Sequence, residues 1–434
     1  MLLDKTLTYV SLFSGAGVGC YGLLEEGFEC VATNEILEKR LNIQRINRKC
    51  KFDESYISGD IKKPETKEKI LKQIEFYSKK FGNDRVDLVV ATPPCQGMSV
   101  ANHKKKNDEI KRNSLVIESI DLIKQIKPRF FILENVPSFY KTGCIDKNDN
   151  LLEIGSMIEQ NLSGDYMLYD EVINFKNFGA NSSRTRTLVI GVCKEFKDFT
   201  SALEFFPDFK QEKTLKEVIG SLKPLTWGEY DSTDFYHSFR TYPKHMQEWI
   251  KDLKEGQSAF ENVQDAISDL AYLCSNEGAF ESDYLNPIQS SYQALMRKNS
   301  PKLYNHQATN HSQAALEKLK LINKEQGKEC LPKNLHGKQQ FKSTWGRLNW
   351  NKISPTIDTR FDTPSNGTNS HPELHRSITP REAARIQSFS DNYIFYGNKT
   401  SVCKQIGNAV PPLLALALGK AILKSARNDT NPSR

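Results

Sequence analysis

A cysteine that could act as a nucleophile follows two prolines in the stretch PPCQ, residues 93–96. The prolines stiffen the chain before Cys95, and a Gln-Gly pair releases it afterwards. A thiolate held in a fixed position is a strong nucleophile. The alternative is an ordinary core thiol, but the polar stretch SVANHKKKND that follows favours a basic loop. The pattern therefore predicts that Cys95 is a catalytic nucleophile.

A carboxylate and two arginines also stand where a predicted strand begins or ends. Glu134 closes the apolar run FFILENV, residues 130–136. A carboxyl group at the tip of a buried strand has a raised proton affinity, as a general acid needs, although a turn or capping acid is the alternative. Arg184 and Arg186 alternate along a predicted strand and so face the same side. Two guanidinium groups on one face can bind a carbonyl oxygen or a phosphate.

A glycine-rich turn and two acids are typical of a nucleoside site. The stretch SLFSGAGVG, residues 11–19, spaces its glycines by two, which is not the dinucleotide-binding pattern. Such a turn lets a ligand approach the bare backbone. Glu35 ends the next predicted strand and could hold two ribose hydroxyls, and Asp60 follows a third strand and could bind an adenine amino group. Each acid taken alone could also be a solvated loop residue.

The elements that position these residues alternate between short β-rich runs and helical stretches from residue 8 to about 195. This alternation predicts an α/β fold with a parallel sheet. It also predicts TRTLVIGV, residues 185–192, and the run before it as late strands that could form a hairpin. Regularity fades over 196–345 and returns near 346. We predict a catalytic domain from 1–195 plus 396–434, and a smaller domain over 196–395.

Composition narrows the class of protein. The chain has 434 residues, 38% of them hydrophobic, and no run of about 18 apolar residues, so we expect no membrane partner. Its nine cysteines are scattered and never spaced as CxxC, which argues against a zinc site or a disulfide framework and favours a reducing, cytoplasmic setting. His306 and His311 are interpreted as surface residues rather than a metal pair.

Taken in order, these motifs resemble those of the DNA (cytosine-5)-methyltransferase family. The resemblance covers roughly 8–195 and 346–423 and rests on FSGAG, the strand-end Glu35, GDI, PPCQG, LENV, RTR, REAARIQSF and IGNAVPP. It implies an S-adenosylmethionine-dependent methyltransferase (Rossmann-like) sheet with a smaller, irregular target-recognition region at about 196–345. It also implies methyl transfer from S-adenosylmethionine to carbon 5 of a cytosine that is flipped out of duplex DNA.

The resemblance also implies a role for each matching residue. Cys95 would attack carbon 6 of the cytosine, Glu134 would hold ring nitrogen 3 and the amino group, and Arg186 would support the carbonyl oxygen. Arg184 would steady the catalytic loop or a phosphate. Gln96 and Ser99 would contact DNA beside the nucleophile. The implied cofactor-binding residues are Phe13, Gly15, Gly17, Glu35, Ile36, Asp60, Ile61, Pro93, Asn408 and Ala409.

Two positions depart from the family pattern. Ser182 stands where the arginine motif usually begins with glutamine, so any contact made by that amide is in doubt. Met98 stands where relatives often carry an aromatic residue. We expect neither change to abolish activity.

Charge is distributed unevenly, which suggests a polyanionic partner. The chain has a net charge of +7, yet residues 195–285 carry 9 basic and 18 acidic side chains, whereas 286–345 carry 10 and 3. We hypothesise that 286–345 lines the DNA cleft through Arg297, Lys298 and Lys302, because phosphate contacts dominate affinity. The segment 261–283, which has no Lys or Arg, should then face solvent on the far side.

Two other functions share these motifs. One is a tRNA cytosine-5 methyltransferase, which the long insert and PPCQGMS disfavour. The other is a catalytically silent DNA-binding homologue, which would require a broken nucleophile or cofactor site. The expected partner is duplex DNA, with a restriction endonuclease as a genetic partner only, and the expected state is a monomer.

Overall fold

The structure is a computed structural model that describes residues 6–82, 85–94, 113–146, 149–180, 182–195, 230–231, 234–238, 262–298, 300–324, 326–336 and 343–428. Its strands are β1 Thr8–Leu12, β2 Glu29–Glu35, β3 Tyr56–Ser58, β4 Leu88–Ala91, β5 Phe130–Asn135, β6 Gly143–Ile145, β7 Leu151–Glu153, β8 Tyr166–Asn174, β9 Thr185–Cys193, β10 Tyr230–Asp231, β11 Asp234–Ser238, β12 Gly278–Ser282 and β13 Leu303–Gln307.

The α-helices within these residues follow the same chain order. They are α1 Tyr21–Glu25, α2 Glu38–Ile46, α3 Pro64–Phe81, α4 Leu115–Ile126, α5 Ile154–Leu162, α6 Val263–Ile267, α7 Ser291–Arg297, α8 Gln313–Leu321, α9 Pro380–Ile386, α10 Lys399–Gly407 and α11 Pro412–Asn428.

Seven strands form one sheet in the order β3-β2-β1-β4-β5-β9-β8. The first five strands in this order are parallel to one another. Strand β9 runs antiparallel to both β5 and β8. The predicted α/β fold and late hairpin are confirmed. Because β9 is reversed, its first residue lies at the same edge of the sheet as the carboxyl ends of β1 to β5, so Arg186 near the start of β9 reaches the edge that carries Glu35 and Glu134.

The sheet is buried on both faces, which explains its uninterrupted apolar strands. One face packs against α3, α4 and α5 through residues such as Ile70, Ile120 and Ile158. The other face packs against α1 and α11 through Leu23, Leu414 and related side chains. This two-sided packing leaves the carboxyl edge of the strands free to carry loops.

One stretch of the described chain, residues 399–424, is long and apolar enough to span a membrane. It consists of α10 and α11 with a break between them. Of its most apolar 18 residues, 61% are buried within the protein. Leu418 and Ile422 belong to the core beneath the sheet. The apolar character of this stretch is therefore explained by its packing in the interior.

A separate core organises the smaller domain. It joins α6, α7, α9 and α10, and it includes Ala16 and Val18 from the glycine turn. Helix α10 contributes Val402 and Ile406 to this core, although it follows the predicted domain boundary at 396. The chain re-enters the core of the sheet at Val410, so packing divides the two units between α10 and α11.

Candidate active site

The loops that follow β1, β2 and β3 are hydrogen-bonded to one another at the carboxyl edge of the sheet. The amide of Ser14 donates to the carbonyl of Asn34 at 3.0 Å, and the amide of Gly15 donates to Glu35 Oε2 at 3.0 Å. The amide of Gly59 donates to the carbonyl of Glu35 at 3.2 Å. These bonds bring the glycine turn, Glu35 and the segment before Asp60 into one group, as the sequence predicts.

Glu35 is the centre of this group, with a side chain only 4% exposed. Besides Gly15, its carboxylate accepts hydrogen bonds from the amide of Leu37 at 3.1 Å and from Arg40 Nη1 at 3.0 Å. A carboxylate offers about four acceptor positions. Glu35 therefore fixes the turn and still has acceptor capacity for a hydroxyl group.

The surroundings of Glu35 fit an adenosine-like group. Ile36 is 60% exposed directly beside the carboxylate, and Phe13 adopts a left-handed backbone with φ of 53°. A Cβ built on Gly15 would meet no atom within 4 Å, so the turn has open space above it. Asp60 is partly exposed, and its Oδ1 accepts from the amide of Lys62 at 3.0 Å. The neighbouring Ile61 is buried in the sheet core, so its backbone is the part left to face a ligand.

The approach to the predicted nucleophile is anchored to two strands. Pro93 is buried, and its carbonyl accepts from Asn135 Nδ2 at 2.9 Å. Thr92 Oγ1 donates to the carbonyl of Phe13 at 3.1 Å. Cys95, Gln96 and Ser99 lie outside the described residues.

Sequence reasoning missed Thr92 and Asn135 because neither residue type carries a distinctive chemistry. The available signal was position alone: each stands at a strand end beside a predicted site residue, Thr92 before PPCQ and Asn135 after Glu134. Their hydrogen bonds to Phe13 and Pro93 identify them as residues that hold the site together.

Glu134 and Arg186 form an ion pair at this edge. Glu134 Oε1 lies 3.3 Å from Arg186 Nε, and the two side chains are 12% and 16% exposed. Burial raises the pKa of Glu134, and the charges of Arg186 and Arg184 oppose that rise. The carboxyl group is therefore easier to protonate than an exposed glutamate, which suits the donation of a proton to a ring nitrogen.

Arg184 has a different environment from its neighbour. Its side chain is 5% exposed and donates to the carbonyls of Gly407 and Ile357, the latter at 3.4 Å. The expectation that Arg184 steadies the catalytic loop or a phosphate stays a prediction, and its guanidinium is buried against the smaller domain. Gly407 directly precedes Asn408 and Ala409, of which Asn408 is exposed and Ala409 buried. Arg184 thus ties strand β9 to the segment expected to close over the cofactor.

Ser182 is fully buried beside the Arg184 clamp, which is the pair of hydrogen bonds from Arg184 to the smaller domain. It forms a β-bridge with Ser354 of that domain. The adjacent amide of Ser183 donates to the carbonyl of Ser354 at 3.0 Å. A small residue at 182 therefore fits a close approach between the two units.

Arg297, which is expected to contact DNA, is held by partners within this chain. Arg297 Nη2 lies 2.7 Å from Asp269, with the arginine 13% exposed, and the same nitrogen donates to the carbonyl of Asn286. Lys298 is half exposed and pairs with Glu25 at 3.1 Å, at the end of α1 away from the glycine turn. Lys302 pairs with Asp283 at 2.6 Å. Each of the three cations is paired with a carboxylate of this chain.

The predicted separation of acidic and basic faces is wrong. Strand β12, from the acidic half, pairs with β13, from the basic half, in one antiparallel ladder. Val263, Ala266 and Ile267 from the acidic half are buried in the core of the smaller domain. The part of this segment around α6 therefore belongs to the interior, whereas β12 is largely exposed. Charge counted along the sequence did not reveal this pairing.

Of the two histidines interpreted as surface residues, His306 is packed inside the smaller domain and His311 is half-buried. His306 Nδ1 lies 3.0 Å from Thr379 Oγ1, and its Nε2 lies 2.9 Å from the carbonyl of Ala271. Burial lowers the pKa of His306 and lowers that of His311 to about 4. The surface interpretation is wrong for His306, whereas His311 keeps part of its surface exposed.

The mostly parallel sheet, its reversed β9 and the acidic groups at its carboxyl edge define the class of S-adenosylmethionine-dependent methyltransferases. Residues 7–424 match the family model of the C-5 cytosine-specific DNA methylases. The chain belongs to this family and is a DNA (cytosine-5-)-methyltransferase.

Known relatives agree with that assignment. The type II methyltransferase M.DdeI of Desulfomicrobium norvegicum is 29% identical over 78% of this chain and 72% of its own length. The type II methyltransferase M1.HphI of Haemophilus parahaemolyticus is 25% identical over 99% of this chain and 90% of its own. The fold is shared with a putative DNA modification methyltransferase encoded within an E. coli prophage, with a TM-score of 0.63, 22% identity and coverage of 98% and 99%.

Proposed function

We propose that this enzyme methylates carbon 5 of one cytosine within a specific duplex DNA sequence, with Cys95 as its nucleophile and S-adenosylmethionine as methyl donor. The observation that carries this proposal is the ion pair of Glu134 and Arg186 at 3.3 Å, at the same strand edge as the Pro93 carbonyl held by Asn135. An acid, a guanidinium and the anchored chain before a cysteine are the groups that this reaction needs.

The thiolate of Cys95 forms a bond to carbon 6 of a cytosine taken out of the helix, where stacking no longer shields it. Glu134 donates a proton to ring nitrogen 3, which neutralises the charge produced by the attack. Arg186 supports the carbonyl oxygen. After methylation a base removes the proton from carbon 5, and the carbon–sulfur bond breaks to release Cys95 as a thiolate.

The residues at the glycine turn fit the methyl donor. Glu35 would hold the ribose hydroxyls, Phe13 and Ile36 would flank the adenine, and Asp60 with the backbone of Ile61 would bind the adenine edge. When bound, S-adenosylmethionine supplies an electrophilic methyl group carried on a sulfonium. Gly15, Gly17 and Pro93 leave room for it, and Asn408 and Ala409 close the opposite side.

We further propose that the enzyme acts as a cytoplasmic monomer and protects DNA from a restriction endonuclease. Support for this role comes from the relatives named type II methyltransferases, which match most of the chain. Gln96 and Ser99 are proposed to contact DNA beside the nucleophile. The assignment of the target-recognition role to the insert at about 196–345 also stays a proposal.

Replacing the nucleophile tests the proposal directly. Cys95→Ser should abolish turnover while DNA and cofactor binding remain, because a hydroxyl is far less ionised and less nucleophilic than a thiol. The unaltered enzyme should form a denaturation-resistant adduct with duplex DNA that carries 5-fluorocytosine, since no proton can leave carbon 5. Cys274→Ser, at an exposed cysteine of the smaller domain, is the matched control and should trap that DNA normally.

A Cys95→Ser enzyme that still trapped the DNA would place the nucleophile elsewhere. Methyl transfer to tRNA but not to duplex DNA would support the tRNA alternative. Expression in a host without DNA methylation, followed by sequencing for methylcytosine, gives the recognition sequence.

A further inference from the structure

A buried chain of hydrogen bonds supports the glycine turn from below, and the reaction chemistry does not use it. It starts at Lys49, which is 3% exposed and donates to Ser11 Oγ at 3.0 Å and Thr33 Oγ1 at 3.1 Å. Thr33 Oγ1 donates to Gln44 Oε1 at 2.8 Å. A buried ammonium thus polarises a hydroxyl that in turn fixes the carbonyl of a buried amide.

The far end of this chain is the turn itself. Gln44 has no exposed surface, and its Nε2 donates to Ser14 Oγ at 2.8 Å and to the carbonyl of Gly15 at 2.7 Å. Both amide donors and the amide carbonyl are therefore occupied. The orientation of the amide is set by Thr33, so its two donors can point only toward the turn.

Shape reinforces these bonds. Gly17 has φ of 88°, and a Cβ built there would lie 2.7 Å from Gln44 Cγ and 3.2 Å from Lys49 Cδ. The turn therefore rests directly on the stems of these two side chains. The opposite side of the turn is open at Gly15, where a ligand can approach. Gln44 contacts the side of the turn that faces the protein interior, and the proposed cofactor contacts the other.

We infer that Gln44 is a positioning residue for the S-adenosylmethionine site. It holds the carbonyl of Gly15 and the hydroxyl of Ser14 so that the amide of Gly15 stays on Glu35. This inference rests on the proposed cofactor role of the turn. Gln44 acts through Gly15 and Glu35, and it has no contact with the reacting atoms.

The test compares Gln44→Met with Gln73→Met. Methionine keeps the volume of glutamine and removes its hydrogen bonds. Gln73 is the matched control, because it is also buried in a helix and donates one bond to a serine hydroxyl, Ser55 Oγ at 3.0 Å. Calorimetric titration with S-adenosylmethionine and steady-state kinetics on duplex DNA are measured for both variants and the unaltered enzyme.

Gln44→Met should weaken S-adenosylmethionine binding about tenfold, which corresponds to about 1.4 kcal/mol. Its KM for S-adenosylmethionine should rise in parallel, while its KM for DNA changes less than about twofold, since that factor is under about 0.5 kcal/mol. Gln73→Met should keep both constants, whatever stability it loses. An equal loss of cofactor affinity in the two variants, or none in Gln44→Met, overturns the inference.

A second substitution covers the case in which Gln44→Met does not fold. Thr33→Val keeps the shape of the side chain and removes the hydroxyl that orients the amide, so cofactor affinity should fall about threefold, under about 1 kcal/mol, without a change in KM for DNA. Unchanged affinity in Thr33→Val contradicts the inference. If the unaltered enzyme itself binds no S-adenosylmethionine, the proposed function fails instead.

Discussion

At the scale of single residues, the local environment gives two similar arginines different tasks. Arg186, within β9, lies at the rim of the site and pairs with Glu134, whereas Arg184, just before β9, is buried against carbonyls of the smaller domain. The smaller domain covers Arg184, and for that reason Arg184 has the structural role.

The ionised form of Glu134 is expected to lower the stability of the folded protein, and the residue is expected to assist the reaction. Glu134→Gln should slow methyl transfer about 10²-fold, the usual contribution of a positioned acid, with little change in cofactor affinity. Because burial raises the pKa of Glu134, its favourable contribution to folding is complete below the unfolded value of about 4.3 and is lost as the pH rises through the folded value.

The unaltered enzyme should therefore lose stability relative to Glu134→Gln between about pH 5 and pH 8. Urea unfolding at the two pH values, beside single-turnover methylation, measures both effects. A Glu134→Gln enzyme with the normal rate would reduce Glu134 to a turn residue, and an equal stability difference at both pH values would contradict the role of burial.

At the scale of elements, close backbone contact between α1 and α11 holds one face of the sheet. Gly22 makes this contact possible, since a Cβ there would overlap the backbone at Pro412 and Leu416. These are backbone atoms of a helix and cannot move aside as the end of a side chain could. The helix that follows the glycine turn is thereby fixed to the carboxy-terminal helix.

Gly22→Ala should destabilise the protein by about 3 kcal/mol, at the upper end of the usual cost of overpacking. Gly164→Ala is the control, because a Cβ there would meet nothing within 4 Å, and its stability should change by less than about 1 kcal/mol. The free energy of unfolding in urea is the measurement. A Gly22→Ala protein as stable as Gly164→Ala would show that the two helices separate without cost.

At the scale of the whole molecule, the two units meet where the predicted chemistry takes place. Ser182 and Ser183 join Ser354, and Arg184 joins Ile357 and Gly407. The segment that leads into β9 and to Arg186, the arginine proposed to contact the cytosine, is thus bonded to the smaller domain. We expect the alignment of the two units and the geometry of the site to depend on each other.

Substituting the paired arginines separates alignment from chemistry. Arg184→Lys loses the planar fork that reaches two carbonyls, so it should lower stability by about 1–3 kcal/mol and raise KM for both DNA and S-adenosylmethionine. Arg186→Lys should keep stability and lower kcat, because the change falls on the group proposed to contact the cytosine. Urea unfolding and steady-state kinetics of the two variants measure these effects. The reverse pattern would assign alignment of the two units to Arg186 and the cytosine contact to Arg184.

The sequence alone determined the sheet, its late hairpin and the residues at its carboxyl edge. Those features are local, because apolar runs, glycine spacing and polar residues at strand ends depend on residues that are adjacent in the sequence. The buried glutamine beneath the turn, the clamp at Arg184, the pairing of Arg297 with Asp269 and the interior position of His306 were decided only by the tertiary structure. Each depends on contacts between residues far apart in the chain, so the burial of a charge or an amide could not be inferred from its immediate neighbours.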